Sequence, residues 1–68
     1  MEDWQLLHTT TSYPEASIIQ GMLEENEIPV RVLNRMSSSY VNLGDISIYV
    51  PARLEAIANK LLEGASLN

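Results

Sequence analysis

The amino-acid sequence predicts an α+β fold that contains a three-stranded antiparallel sheet and two helices. Two changes of periodicity carry this prediction. Apolar residues recur at helical spacing after Ser12 and then at strand spacing up to Leu33, and between Ile46 and Glu63 a strand pattern is followed by a helical one. A chain of 68 residues forms a single domain, which we assign to residues 1–68 with 64–68 as a loose tail.

The first helix is predicted to begin after Ser12. Ser12 and Glu15 have the spacing at which a hydroxyl and a carboxylate reciprocally satisfy the free amides of a helix start. Pro14 suits the first turn, because its missing N–H costs nothing there. Asn26 is expected to end the helix in the left-handed conformation, and Pro29 prevents its continuation. The apolar stripe of this helix is formed by Ala16, Ile18, Ile19, Met22 and Leu23.

Three segments have the composition of strands. The first, residues 4–11, is rich in β-branched threonine, but the pair Leu6 and Leu7 leaves open which parity points inward. The second is Val30 to Leu33. The third, Ile46 to Val50, alternates apolar and polar residues, which indicates a half-buried strand.

A second helix is predicted from Ala52 to Glu63, with Gly64 placed to terminate it. Its apolar stripe is formed by Leu54, Ile57, Ala58 and Leu61. A right-handed crossover makes the first two strands run the same way and leaves room between them for an antiparallel third strand. The predicted sheet order is therefore 1-3-2, with both helices on one face, which is the ferredoxin-like β-α-β-β-α plan without its last strand.

Composition excludes several classes of function. Nine acidic and four scattered basic residues give a net charge of −5, which disfavours nucleic-acid binding. With no cysteine there is neither a disulfide framework nor a thiolate metal site. The acidic start of the chain does not match a signal peptide, and no apolar run approaches the ~20 residues of a membrane span. We therefore expect a cytoplasmic protein without membrane contact.

The sequence also predicts that the protein is not an enzyme and holds no metal or cofactor. His8 has no cysteine or second histidine with which to share a metal or a proton, and its simplest interpretation is a solvent-facing or edge-strand residue. Asp45 follows Gly44 and is more simply a turn residue than a general base. No catalytic residue is assigned. The alternative is an enzyme or accessory subunit whose active site forms only at an oligomer interface.

Short motifs are spaced along nearly the whole chain, and they are Glu15-Ala16, Leu23-Glu24, Ile28-Pro29-Val30, Leu33-Asn34, Ser38-Ser39-Tyr40, Gly44 and Ile48-Tyr49-Val50. Their joint spacing resembles a family of small prokaryotic domains of unknown function that are described as signal-transducing proteins. The resemblance implies a ferredoxin-like domain distantly similar in fold to the nitrogen-regulatory signal proteins, and it implies no activity. Glu27 stands where the family usually has Gly, and Met36-Ser37 replaces an expected charged pair.

Two surfaces are candidates for ligand or partner binding. If the apolar parity of the strands faces the helices, Arg31, Leu33, Ser47 and Tyr49 share the uncovered face with one leucine of the first strand. Scattered apolar side chains on an open face are also ordinary. The second candidate is the segment 35–45, whose counterpart in the similar nitrogen-regulatory fold carries partner contacts. Its candidate anion-binding or modifiable residues are Arg35, Ser38, Ser39 and Tyr40, although a plain flexible loop has the same composition.

Together these observations predict a small non-enzymatic binding module, regulatory or signal-transducing, that associates with a protein partner or a small ligand. A purely structural accessory domain is a further alternative. A short domain with exposed sheet edges is also expected to form a homodimer through an edge or the open face.

Overall fold

The computed structural model describes residues 3–34 and 46–65. Its elements are β1 (Trp4–Thr10), α1 (Tyr13–Glu25), β2 (Arg31–Asn34), β3 (Ile46–Pro51), a 3₁₀ turn (Ala52–Leu54) and α2 (Glu55–Ala65). The three strands form one sheet in the order β1-β3-β2, and both neighbouring pairs are antiparallel. The predicted fold class and strand order are confirmed.

β3 is the centre of the molecule. Ile46, Ile48 and Val50 are buried and point to the side of the sheet on which both helices pack. Among the described residues, the core cluster contains Ala16, Ile19, Leu23, Ile28, Ile46, Ile48, Val50 and Ala58. The alternation in the sequence predicted the parity of β3 correctly because this strand has a neighbour on each side and helices on one face only.

β1 contains a bulge that settles which of its two leucines faces the core. Leu6 lies opposite Tyr49, whereas His8 lies opposite Ile48, so two steps along β1 match one step along β3. Leu6 therefore lies on the open face with Tyr49, and Leu7 packs against the core. An extra residue of this kind interrupts the alternation of a strand, which is why the pair of leucines gave no clear parity in the sequence.

Only one of the two hydrogen bonds predicted to cap the start of α1 is present. Ser12 Oγ accepts a hydrogen bond from the Glu15 amide at 3.2 Å. The carboxylate of Glu15 does not return to Ser12; it accepts a hydrogen bond from the Thr10 hydroxyl, and Thr10 Oγ1 in turn accepts from the Ser12 amide at 3.0 Å. The reciprocal cap thus passes through buried Thr10, which links the end of β1 to the first turn of α1.

The end of α1 differs from the prediction. Asn26 has φ −98°, and the left-handed residue is Glu27, with φ 61°. The Ile28 amide donates to the carbonyl of Leu23 at 2.9 Å and the Glu27 amide donates to that of Glu24 at 3.0 Å. These two bonds form a Schellman motif, in which the left-handed residue is usually glycine.

α2 departs from its predicted stripe and end. Ala58 is buried, and Leu54, Leu61 and Leu62 pack against the core. Ile57, predicted to face the core, is 54% exposed, and Ile18 of α1 is exposed in the same way. Gly64 does not terminate α2, which runs to Ala65, so residues 64 and 65 belong to the helix and not to a tail. Residues 66–68 lie outside the described part of the chain.

Candidate functional site

The uncovered face of the sheet brings together the candidate residues predicted there. Directly paired residues on neighbouring strands share a face, and Tyr49 of β3 is flanked by Leu6 of β1 and Arg31 of β2. Ser47 is flanked in the same way by Thr9 and Leu33. Arg31, Leu33 and Tyr49 therefore lie on one surface, on the side opposite the helices.

This surface contains a shallow groove. Its volume is about 200 Å³, and it is lined by Trp4, Arg31, Leu33 and Tyr49. Trp4 was not among the site residues predicted from the sequence. Trp4 and Leu6 are two residues apart in β1 and so share a face. The sequence would have placed Trp4 on the open face if it had shown which of Leu6 and Leu7 points inward.

Arg31 and Trp4 form a contact that spans the sheet. The guanidinium carbon of Arg31 lies 4.6 Å from the centroid of the Trp4 ring, which is within the range of a cation–π interaction. Trp4 is in β1 and Arg31 is in β2, the two strands that flank β3. The contact therefore fixes the position of the Arg31 side chain over the open face.

β2 is incompletely covered on both of its faces. The helices pack mainly against β1 and β3, and all four residues of β2 are exposed. Val32 pairs with Ile48 on the helix side and is still 38% exposed, while Leu33 on the open side is 48% exposed. Asn34, the last residue of β2, donates to the Tyr13 hydroxyl at 2.6 Å and so attaches the end of the strand to the start of α1.

Charge is distributed unequally between the two faces. The described open-face residues include one cation, Arg31, and no carboxylate, and they are Trp4, Leu6, Thr9, Arg31, Leu33, Ser47 and Tyr49. Among the described residues every carboxylate except Asp3 lies in α1, in the turn after it or in α2. Over the described residues, the open face of the sheet is thus neutral to positive and the helix side is acidic.

A second polar cluster lies where β1 meets α1. His8 Nε2 is 3.4 Å from Glu15 Oε2, and both side chains are about one-third exposed. His8 Nε2 is itself buried and makes no hydrogen bond, so we treat this contact as a close approach of the two groups. His8 is therefore half-buried against a carboxylate, which corrects its interpretation as solvent-facing, although β1 is an edge strand as expected.

The described residues meet the requirements of neither a metal site nor a membrane-spanning helix. Within 3–34 and 46–65, no three side chains of His, Cys, Asp or Glu are grouped as a metal ion would require. In the same ranges, neither helix has the length and apolar character needed to cross a bilayer. Asp45 lies outside the described residues. The same is true of the candidate binding residues of the segment 35–45, which are Arg35, Ser38, Ser39 and Tyr40.

A family model described as "Putative prokaryotic signal transducing protein" matches residues 4–66, which confirms the resemblance found in the sequence motifs. No curated protein and no solved structure matches the chain.

Proposed function

Because the chain belongs to the family described as putative prokaryotic signal transducing proteins, we propose that it is a non-enzymatic regulatory module that binds a partner through the open face of its sheet. The observation that carries this proposal is the groove formed by Trp4, Arg31, Leu33 and Tyr49. Its lining comes from all three strands, so the framework of the sheet holds it in shape.

The groove has the composition of a binding surface. Aromatic residues and arginine are enriched in the buried centres of protein interfaces, and here Trp4, Tyr49 and Arg31 are adjacent. A site for a drug-sized ligand usually exceeds about 300 Å³, whereas this groove measures about 200 Å³. A single side chain or one small ring fits this space better than a large cofactor.

We place the module in the cytoplasm, because a chain without cysteine suits a reducing compartment. The homodimer predicted from the sequence would use the same open face or the edge of β2, and it stays a prediction. Light scattering over a range of concentrations distinguishes such a dimer from a monomer that binds another partner.

Two matched variants test the proposal. Leu33 and Ile57 are similarly exposed, at 48% and 54%, but Leu33 lies on the open face and Ile57 on α2. Each would be replaced by Glu, and the immobilised variants would be compared with the unaltered chain for retention of proteins from prokaryotic lysate and of metabolites from a mixed panel.

We expect the Ile57→Glu variant to retain the same binding species as the unaltered chain and the Leu33→Glu variant to lose them. Circular dichroism verifies that both variants are folded. If the Leu33→Glu variant still retains every species that the unaltered chain binds, the open face is not the binding surface. The same conclusion follows if the Leu33→Glu and Ile57→Glu variants lose binding equally.

A further inference from the structure

We propose that the edge of β2 binds an extended peptide segment of a partner protein, one that carries a carboxylate opposite Arg31 and apolar side chains opposite Val32 and Leu33. This inference rests on the proposed function and specifies the chemistry of its partner. Three features of β2 support it: its position in the sheet, the exposure of its apolar residues on both faces, and the charge of Arg31.

The position of β2 allows a strand to be added. β2 is the last strand of the sheet and pairs with β3 on one side only, among the described strands. The backbone groups on the outer side of such a strand are available for pairing with another chain. Addition of a peptide strand to a sheet edge is a recurrent mode of peptide recognition, in which backbone bonds give affinity and alternate side chains give specificity.

The apolar residues of β2 indicate what the added strand contains. A residue opposite Val32 would lie on the helix side of the sheet, and a residue opposite Leu33 on the open side, at Cβ distances of about 5 Å. Both side chains are substantially exposed for apolar residues. Apolar partners on the added strand would remove this area from water, extending the core beside Val32 and the groove beside Leu33.

Arg31 determines the charge of the partner. Its guanidinium lies over the Trp4 ring of β1, and β1 and the outer side of β2 are at opposite edges of the sheet. Binding of an added strand therefore requires the Arg31 side chain to turn from Trp4 toward that strand, where its N–H donors can bind a carboxylate. Within residues 3–34 and 46–65, no carboxylate forms an ion pair with Arg31. Apart from Asp3, the described carboxylates lie in the two helices or in the turn after α1, and the helices are on the other side of the sheet from Arg31.

A second copy of the chain matches the charge of the β2 edge less well than a peptide with a carboxylate does. Antiparallel pairing of two β2 strands about Val32 would place Arg31 of each copy opposite Leu33 of the other. The described open face contains no carboxylate, so neither Arg31 would gain an acidic neighbour there. A partner of different sequence can supply a carboxylate that the described open face of a second copy does not contain.

Synthetic peptides test the inference directly. The core Glu-Val-Leu-Val-Glu reads the same in both directions, so it places Glu, Val and Leu opposite Arg31, Val32 and Leu33 in either a parallel or an antiparallel orientation. The probe is this core between two-residue Ser-Thr flanks with an amino-terminal fluorescein. Its controls are the same peptide with both Glu replaced by Lys, and the same peptide with both Val replaced by Pro, which cannot pair as a strand. Fluorescence anisotropy against the full chain measures their affinities.

We expect the Glu peptide to bind about tenfold more tightly than the Lys peptide, since the exchange turns an attractive cross-strand pair into a repulsive one. The Pro peptide should not bind. The Arg31→Glu variant should bind the Lys peptide more tightly than the Glu peptide, and the Arg31→Gln variant should bind both equally. Lys60→Glu has the same change of charge as Arg31→Glu but lies on α2, and it should leave the preference in place. Bound Glu peptide should slow hydrogen exchange of the β2 amides.

Several results would overturn the inference. Equal binding of the Glu and Lys peptides, equal effects of Arg31→Glu and Lys60→Glu, or no binding of any peptide would each do so. A dimer of the unaltered chain whose β2 amides are already protected would show that a second copy occupies the edge. The proposed function is judged separately, because a partner retained by the chain and lost in Leu33→Glu, without protection of β2, would support open-face binding and reject strand addition.

Discussion

Replacing Glu27 by Gly should make the protein more stable. Glu27 has φ 61° at the residue after the C-cap of α1. The two hydrogen bonds from Ile28 and Glu27 to the last turn of the helix depend on this conformation. A side chain in the left-handed region costs roughly 1–2 kcal/mol because its Cβ approaches the following carbonyl oxygen, and Gly removes that cost.

The expected increase in the free energy of unfolding is smaller than the backbone strain that Gly removes. Gly increases the conformational freedom of the unfolded chain, which opposes the gain by ~0.4–1 kcal/mol. Removing a negative charge next to the carboxyl end of α1 adds at least ~0.3 kcal/mol, because the helix dipole disfavours anions there. We expect a net stabilisation of about 1 kcal/mol, which for a domain of this size raises the melting temperature by ~4–8 °C.

Chemical denaturation of three variants separates the two causes. Glu27→Gln removes the charge and keeps the side chain, so it should gain only the charge contribution. Glu27→Asn should fall between Gln and Gly, because Asn tolerates the left-handed region better than Gln. If Glu27→Gly is no more stable than Glu27→Gln, backbone strain at this position contributes nothing to stability and the reasoning from φ is wrong.

The other predictions concern the core, the helix cap and the open face. Ile48→Ala should destabilise by ~2–5 kcal/mol in urea unfolding, since the Ile48 side chain is fully buried at the centre of β3; a loss below about 1 kcal/mol would contradict its position. Ser12→Ala should lower stability by ~0.5–2 kcal/mol in thermal unfolding, because it removes the acceptor of the Glu15 amide, and an unchanged midpoint would show that the hydroxyl is dispensable. Arg31→Gln should change the fluorescence emission of Trp4, the one tryptophan of the chain, whereas Lys60→Gln should not; identical spectra would refute the stacked contact.

Local signals in the sequence determined the order of the elements and the core side of β3. The hydroxyl of Ser12, the alternation of Ile46, Ile48 and Val50, and the break at Pro29 each act within a few residues, so they can be read without knowledge of the remainder of the chain. The resulting topology follows because few arrangements of two helices and three strands satisfy the right-handed crossover. The alternation of β3 and β2 was also sufficient to place Arg31, Leu33 and Tyr49 on one face.

The tertiary structure decided the features that depend on contacts between distant segments. The bulge in β1 is set by its pairing with β3, and it brings Trp4 into the groove beside Arg31. The rotation of α2 about its own axis, which exposes Ile57, is fixed by packing against the sheet and α1. The left-handed residue fell at Glu27 and not at Asn26 because Ile28 must reach the core beside Leu23. At Glu27 the burial of Ile28 outweighed a local conformational cost of roughly 1–2 kcal/mol.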